Sequence, residues 1–491
     1  MQIFRKLKKE YLHIITLLVL LISCDDFLEQ EPNRQVSIDQ QLSTKNGVLE
    51  AYNGIYRDIE GVFSGPFSTY ADALGGNITF TPFGNELTVQ IPSIIDRTYN
   101  FNANEQDLNF ESYYDDWYKI INETNIIIER MTGFDFLTSS ELNQLRAELL
   151  TIRALAHYQV SIVFAQNYNF TADASHLGVI YNTSTLLAGV DFPARETMAN
   201  TYNLIKADLD EALSLYENQQ LLPAVKTSYF SSISTKALYA RIALQMNDWE
   251  KSKALASEVI TSSGVTLLNT TNYISEWEKP IDPVSETIFE FTAPRNSDGS
   301  VSSSISAYFI FVGASTTTNL FARNVASGDL LSLYNNQDIR RNMFLEEAIS
   351  TNINGIISPQ NYYFTKKFQD DAGTLFIRLS EMYLIRSEAN ARLNNTALAL
   401  SDLNIIKERA NLPALQNTNN LLEEIFLERR RELAFEGHLL FDIIRYKKDV
   451  ERNLGCVSVT CNLSYPSDFF ILPIPFNSIQ LNQNIKQNEG Y

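Results

Sequence analysis

The sequence has few of the residues that most enzymes use for chemistry. Its 491 residues include four histidines and three cysteines, with no GxSxG, HExxH or GxxxxGK[ST] motif. Those motifs mark serine hydrolases, zinc peptidases and phosphate-binding loops. His157, His176 and His438 have no partners at metal-binding spacing. We therefore expect a non-enzymatic protein with no catalytic residue, no metal site and no cofactor.

Positive charge is also scarce, because 39 Lys and Arg face 58 Asp and Glu, for a formal net charge of -19. Nucleic acids and anionic membrane surfaces would repel such a chain, which argues against both as partners. Acidic pairs occur at Asp115-Asp116, Glu346-Glu347 and Glu423-Glu424. A glycosidase holds two carboxylates across a cleft, whereas sequence neighbours on a helix point in different directions. We interpret these pairs as solvated surface.

The apolar run at the N-terminus is too short to span a membrane permanently. Residues 1–10 carry four basic side chains, and residues 11–22 are almost wholly apolar, whereas a spanning helix needs about 20 apolar residues. This order is typical of a secretory signal. The run ends in Leu21-Ile22-Ser23-Cys24, which resembles a lipobox. We expect cleavage after residue 23 and lipidation of Cys24; an ordinary signal peptide with a chance cysteine is the alternative.

Most of the remaining chain has the 3.6-residue apolar period of amphipathic helices. The pattern predicts helices over 111–130, 138–163 and 201–217. The second begins with a capping box at Thr138 and Glu141.

Two stretches, 233–262 and 376–411, predict helix pairs. Small residues recur in each, with turns at Asn247-Asp248 and Asn394-Asn395. A turn halfway through about 34 residues is the tetratricopeptide pattern. An ordinary antiparallel helix pair is the alternative for each stretch, but several such pairs favour a repeat scaffold. The predicted fold class is therefore mostly α, with a tetratricopeptide-like helical-repeat scaffold and an irregular, loop-rich ligand-binding region.

Two segments, 62–110 and 264–375, lack the helical period. They are rich in Gly, Pro, Ser, Thr, Asn and aromatic residues, and Thr287 to Thr292 alternates like a strand. Long irregular segments in a compact domain are usually functional. We expect the ligand site in these segments.

The most specific string is IFLERRRELAFEGHLLFDIIR, residues 425–445. It resembles the signature of the SusD/RagB family of outer-membrane nutrient-binding lipoproteins. Leu439-Leu440 departs from the family pattern, which more often has a basic residue and an aromatic there.

Other segments resemble the same family in the same order. They are Cys24 to Leu28, residues 236–249, residues 378–389, Leu472 to Pro475 and Gln487 to Tyr491. The resemblance covers nearly the whole chain and implies one SusD-like domain over 24–491. It has a tether over 24–40 and helical repeats mainly within 111–262 and 376–450.

The resemblance also implies a function. Family members are not enzymes; they lie over a TonB-dependent transporter, capture oligosaccharides or in some cases peptides, and pass them on. It therefore implies a protein anchored by lipid to the outer membrane, facing the cell exterior, that delivers an oligosaccharide to a SusC-like transporter. A peptide-binding member and an all-α membrane-anchored carbohydrate-active enzyme are the alternatives.

The signature string itself has a structural interpretation, because it puts both charge signs on one helical stretch. We predict an ion-pair network that locks helices together rather than an active site. Its charged members are Glu428, Arg429, Arg430, Arg431, Glu432, Glu436, Asp442 and Arg445.

Candidate ligand contacts follow from the chemistry of sugars, which present apolar C–H faces ringed by hydroxyls. Binding sites of this kind combine aromatic rings with a few placed polar groups. Segments 62–110 and 295–325 hold that mixture. The candidates are Tyr70, Asp72, Asn77, Phe83, Tyr99, Phe101, Tyr308, Phe309 and Asn319. Separately, Cys456 and Cys461 form a possible disulfide, because an exported protein meets an oxidising compartment; free thiols are the alternative.

Overall fold

A computed structural model of the chain describes residues 36–106, 108–187, 189–223, 225–278, 284–292, 304–311, 322–368, 373–417 and 419–491. The predicted signal segment, Cys24, most of the tether and Asn319 lie outside the described residues.

Helices account for most of the regular structure, so the prediction of a mostly α fold is confirmed. In chain order, α1 to α17 span Ile38–Gln41, Lys45–Phe63, Tyr70–Gly75, Asp96–Tyr99, Leu108–Arg130, Ser139–Phe164, Met198–Leu215, Ser232–Gln245, Trp249–Ser262, Tyr273–Trp277, Ser306–Phe309, Gly328–Leu331, Leu379–Arg392, Thr396–Arg409, Leu421–Glu432, Leu439–Arg445 and Phe476–Leu481. Short 3-10 turns span Pro66–Thr69, Ser93–Ile95, Met131–Gly133, Lys226–Ser228, Ile339–Met343 and Asp468–Phe470.

Most strands are short, two have ten residues each, and they pair two by two among the described residues. Strands β1 to β10 span Ile78–Phe80, Pro82–Phe83, Thr88–Val89, Thr287–Thr292, Asn324–Ala326, Phe344–Ile353, Ile356–Thr365, Gly373–Arg378, Val450–Glu451 and Asn462–Leu463. All pairs are antiparallel: β1 with β5, β2 with β3, β4 with β8, β6 with β7 and β9 with β10. The strand predicted at Thr287 to Thr292 is confirmed as β4.

Local sequence signals place the helix ends. The Thr138 hydroxyl accepts a hydrogen bond from the Glu141 N–H at 3.2 Å, and the Glu141 carboxylate accepts one from the Thr138 N–H at 2.9 Å. This reciprocal capping box starts α6 where the sequence predicts it. The turns after α8 and α13 use Asn247 and Asn394, each at a φ of 62°, and Asn tolerates this left-handed conformation better than most residues.

The two predicted helix pairs are α8 with α9 and α13 with α14. In each pair, a serine of one helix donates to a backbone carbonyl of the other. Ser252 donates to the Ala240 carbonyl at 2.9 Å, and Ser387 donates to the Ala399 carbonyl at 2.7 Å. Small residues at the crossing let the backbones approach this closely. Helix α9 also packs on α13, so the two pairs stack into one repeat scaffold.

The signature string folds differently from the single helical stretch predicted. Helix α15 ends at Glu432 and α16 begins at Leu439, with Phe435 and Gly437 between them at φ values of 70° and 79°. A left-handed Phe is uncommon and needs support from its surroundings. Asp72 supplies that support, because its carboxylate accepts hydrogen bonds from both of these N–H groups, at 3.0 and 2.8 Å.

The predicted ion-pair network is present and is buried. Glu432 is fully buried and is contacted by Arg378 and Arg409, each at 2.5 Å, and by Arg340 at 2.9 Å. Burial alone raises the pKa of Glu432, but these three guanidinium groups hold it well below its usual value. The partners come from outside the signature string, so the string is the meeting point of several elements.

One extended apolar core joins the helical repeats to the loop-rich segments. Within the described residues, no helix is both long enough and apolar enough to cross a membrane.

Candidate functional site

A surface depression of about 220 Å³ lies in the loop-rich region. It is bounded by the end of α2 and the turn after it, by residues 94–98, and by one face of α5. Roughly 300–1,000 Å³ is typical of pockets for drug-sized ligands. The depression is therefore sized for part of a ligand, such as one ring of a longer chain.

Three aromatic rings form one wall of the depression. The Phe67 ring stacks on Tyr70 with centroids 4.5 Å apart and on Tyr113 with centroids 4.1 Å apart. Tyr70 and Tyr113 are buried and Phe67 is half-buried. Burial raises the pKa of both tyrosines, so their hydroxyls stay neutral at physiological pH. A neutral aromatic wall suits the C–H face of a sugar ring.

Polar groups lie at the rim of the depression. Ser112 and Asp116 are exposed, and the Ser112 hydroxyl donates to the Asp116 carboxylate at 3.3 Å. Asp115 is the sequence neighbour of Asp116. Its pKa is raised to about 6 by burial and by the negative charges of Glu111 and Asp116. The rim thus carries hydrogen-bonding groups and negative charge, which favours a hydroxyl-rich neutral ligand over an anion.

The local sequence explains why Phe67 reaches this place. Gly65 and Pro66 end the α2 segment and start a 3-10 turn, and Pro fits the first position of such a turn because its φ is fixed. The turn runs directly into α3, which ends at Gly75 and is capped by Gly76 with a φ of 96°. Tyr70 is therefore carried one turn after Phe67, against the same wall.

Of the predicted ligand contacts that the structure describes, only Tyr70 lines this depression. Asp72 and Asn77 are buried, and their predicted role as ligand contacts is corrected to a structural one. Asn77 donates to Asp72 at 2.7 Å and accepts from Arg430 at 2.9 Å. With the bonds of Asp72 to the signature string, they fasten α3 to the turn between α15 and α16.

Tyr99 and Phe101 are also buried, and the structure gives them another partner. The guanidinium of Arg452 lies over both rings, 4.1 Å from the Tyr99 centroid and 4.9 Å from that of Phe101. Arg452 in turn donates to the Thr460 carbonyl and, at 3.2 Å, to that of Cys461. These rings therefore support the 456–461 loop, in which the two cysteines are joined by a disulfide, and their predicted role as ligand contacts is corrected to this structural one.

The remaining candidates divide in three ways. Tyr308 and Phe309 are buried, with Phe309 against Phe435 at 5.2 Å, so they belong to the core and their predicted contact with ligand is corrected. Phe83 is half-buried with the Arg323 guanidinium 5.3 Å from its centroid, so it remains a candidate. Asn319 lies outside the described residues.

The sequence prediction missed Phe67, Ser112, Tyr113 and Asp116. Phe67 lies in the loop-rich segment 62–110, and its position shortly after Gly65 is the sequence signal that could have identified it. The other three lie on α5, where a helical period conceals which residues face a depression rather than the core. No local pattern distinguishes these two environments.

A larger cavity, of about 780 Å³, lies between α1, α2 and α5, and no described residue lining it is aromatic, so it suits a sugar less well. A smaller cavity of about 90 Å³ shares Phe67 and Tyr113 with the depression and is also lined by Glu436 and His438. Burial lowers the pKa of His438 to about 4, so it is neutral at physiological pH.

Two protein-family models match the chain. The family model described as "SusD family" matches residues 353–491, and a second, described as "Starch-binding associating with outer membrane", matches residues 26–244. The chain belongs to the SusD family. The first match includes the signature string and the second includes Phe67 and Tyr113.

Individual SusD-like proteins are similar to this chain over most of its length or over part of it. A SusD-like protein of Formosa agariphila is 21% identical, over 96% of this chain and 97% of its own. The starch-binding protein SusD of Bacteroides thetaiotaomicron is 31% identical, over 34% of this chain and 31% of its own.

Solved structures give the same fold. A SusD superfamily protein from Bacteroides thetaiotaomicron superposes with a TM-score of 0.78 at 25% identity, over 91% of this chain and 99% of its own. A SusD-like carbohydrate binding protein from Bacteroides vulgatus superposes with a TM-score of 0.74 at 18% identity, over 90% and 97%.

Proposed function

We propose that this SusD-family protein binds a neutral oligosaccharide at the depression beside Phe67, Tyr70 and Tyr113 and delivers it to an outer-membrane transporter. The observation that carries the proposal is the column of stacked rings next to the exposed Ser112 and Asp116. An aromatic face covers the C–H side of a pyranose, and the rim groups bond its hydroxyls.

The relatives support the ligand class. One family model is described as starch-binding, and a structural neighbour is a SusD-like carbohydrate binding protein. The depression is smaller than an oligosaccharide, so the bound chain extends beyond it over the surrounding surface. A peptide ligand remains the second candidate, since aromatic rings and a carboxylate also suit an extended peptide.

The proposed location combines the N-terminal sequence with the family. A basic segment, a short apolar run and the Leu21-Ile22-Ser23-Cys24 junction support lipidation at Cys24. Two or more acyl chains anchor a protein stably to a membrane where one does not. The protein is then held at the outer membrane, facing outward, where a SusC-like TonB-dependent transporter is its partner.

We expect binding without turnover. Among the described residues that line the depression, one is a carboxylate, Asp116, whereas glycoside hydrolysis uses two held about 5–10 Å apart across the scissile bond. Purified protein lacking residues 1–24 should leave every bound oligosaccharide intact. Products that accumulate with time, and that a mock purification does not give, would support the enzyme alternative.

The binding proposal is tested by titration against a panel of neutral malto-, cello-, xylo- and laminari-hexaoses. Phe67→Ala and Asp116→Ala should weaken the best binder about tenfold or more, since one buried stacking or hydrogen-bonding contact contributes roughly 1–3 kcal/mol. Phe192→Ala is the matched control, because Phe192 is 47% exposed and does not line the depression. Equal affinity for all four proteins would place the ligand elsewhere.

A further inference from the structure

The cavity of about 90 Å³ beside the depression contains polar groups that have no partner. It is bounded by α6, α8, β8 and the turn before α16. Phe67 and Tyr113 line both spaces, so the cavity and the depression lie on either side of the same rings. A substituent on a sugar held at the depression is therefore close to the cavity.

Three hydrogen-bond donors line this cavity. Tyr158, Gln159 and Arg241 are 2%, 7% and 7% exposed. Arg241 donates through Nε and Nη2 to Glu381, at 2.7 Å each, and through Nη2 to the Phe376 carbonyl at 2.5 Å. The Arg241 Nη1, the Tyr158 hydroxyl and the Gln159 amide nitrogen donate to no acceptor among the described residues, although the Gln159 carbonyl accepts from the Tyr113 hydroxyl at 3.3 Å.

These donors are not sealed inside the protein. The chain does have polar atoms that are enclosed without a partner, such as Nη1 of Arg429 and Nη1 of Arg452, but the three donors are not among them. Their remaining exposed surface belongs to the cavity that their residues line. A nearly buried donor without an acceptor costs free energy that a bound acceptor would recover.

The cavity also offers an acceptor and apolar surface. His438 lines it, and its ring makes no hydrogen bond to a described residue. Burial lowers the pKa of His438 to about 4, so the neutral ring has one nitrogen that can accept a hydrogen bond. Ile162, Val163 and Phe376 supply the apolar part of the wall. The lining therefore suits a group that accepts, donates and carries a small apolar end.

Size and charge narrow the group further. A cavity of about 150 Å³ holds one benzene ring, so about 90 Å³ has room for a few non-hydrogen atoms and not for a sugar ring. The charge of Arg241 is already met by the two oxygens of Glu381, and Glu436 adds a carboxylate to the wall. A carboxylate on the ligand would gain little here. An acetamido group is small and neutral, with a carbonyl acceptor, an N–H donor and a methyl group.

We infer that this cavity holds the acetamido group of an N-acetylated amino sugar whose ring lies at the depression beside Phe67. The inference rests on the proposed function and names its substrate class. The acetamido carbonyl accepts from Tyr158, Gln159 or Arg241, its N–H donates to His438, and its methyl group lies against the apolar wall.

Calorimetric titration with chitohexaose and cellohexaose tests the inference, because the two share their linkage and differ only in the acetamido group that replaces one hydroxyl on each ring. The wild type should bind chitohexaose about fivefold or more tighter. Tyr158→Phe should remove most of that preference with an unchanged melting temperature, because its hydroxyl has no described partner to lose. Tyr202→Phe is the matched control, since Tyr202 is equally buried, at 2% exposed, and does not line the cavity.

A second measurement uses the wild type alone. In saturation-transfer NMR with chitohexaose, the acetyl methyl protons should receive more saturation than the ring protons, because the cavity encloses the methyl group. Methyl signals weaker than the ring signals would overturn the inference.

The outcomes separate the inference from the proposed function. A preference for chitohexaose that falls in Tyr158→Phe and persists in Tyr202→Phe supports the acetamido site. A preference unchanged in Tyr158→Phe places the acetamido group elsewhere. Equal affinity for both hexaoses, each weakened by Phe67→Ala, overturns the acetamido site and leaves the proposed function intact. Affinity for both hexaoses unchanged in Phe67→Ala contradicts the proposed function itself.

Discussion

Replacing Arg445 by alanine is expected to destabilise the protein severely without a selective effect on ligand binding. The Arg445 side chain is fully buried and pairs with Glu388 and, at 2.6 Å, with Asp442. Once it is removed, Asp442 keeps Arg429 at 2.9 Å, whereas among the described residues Glu388 keeps one ion pair, with Arg392 at 3.8 Å, and a longer-range attraction to Arg429. A fully buried carboxylate then loses its closest countercharge. Breaking a buried pair in this way costs about 3–5 kcal/mol.

The assay is urea unfolding followed by circular dichroism, with a surface pair as control. Lys448 and Glu423 are 2.7 Å apart with side chains 35% and 46% exposed, so Lys448→Ala should cost at most about 1 kcal/mol. Adding Glu388→Gln to Arg445→Ala should recover part of the loss, because it removes the weakly paired charge. Unfolding midpoints equal for Arg445→Ala and Lys448→Ala, or lost binding at unchanged stability, would refute the structural interpretation.

Three further outcomes follow. Burial opposes ionisation of Glu428, but Arg340 and Arg431 hold its pKa at about 2, compared with about 4.3 in an unfolded chain. The contribution of Glu428 to the free energy of unfolding is therefore present above pH 4.3 and lost as pH falls toward 2. The urea midpoint should drop over that window, and a flat profile would contradict this. Asp72→Ala removes two hydrogen bonds to a buried turn and should cost about 2–3 kcal/mol in the same assay; an unchanged midpoint would show that the turn does not depend on Asp72. Cys24→Ala, expressed in a lipoprotein-competent host, should move from the membrane to the soluble fraction, and equal membrane retention would exclude lipidation at this residue.

Local features of the fold were predictable because their causes lie within a few residues. The capping box at Thr138 and the left-handed turns at Asn247 and Asn394 depend on neighbours in sequence, and all lie where the sequence predicts them. The break between α15 and α16 depends instead on Asp72, 363 residues before Phe435. The sequence contains Gly437 as a turn signal but nothing that names this distant partner.

The sequence predicted which segment forms the candidate site better than it predicted which residues line it. The depression does use the 62–110 segment, and Tyr70 lines it. Tyr99 and Phe101 are equally aromatic and lie in the same segment, yet Arg452 covers them. Whether a ring faces solvent or a buried guanidinium is decided by packing between elements far apart in the chain, and composition does not record it.

The central claim, that a neutral sugar binds against the ring column of Phe67, Tyr70 and Tyr113, is tested most directly by a crystal structure with the best-binding hexaose from the panel. The account predicts electron density for one pyranose over the Phe67 ring, with hydroxyls within hydrogen-bonding distance of Ser112 or Asp116. Sugar density only in the cleft between α1, α2 and α5, with the depression empty, would contradict it.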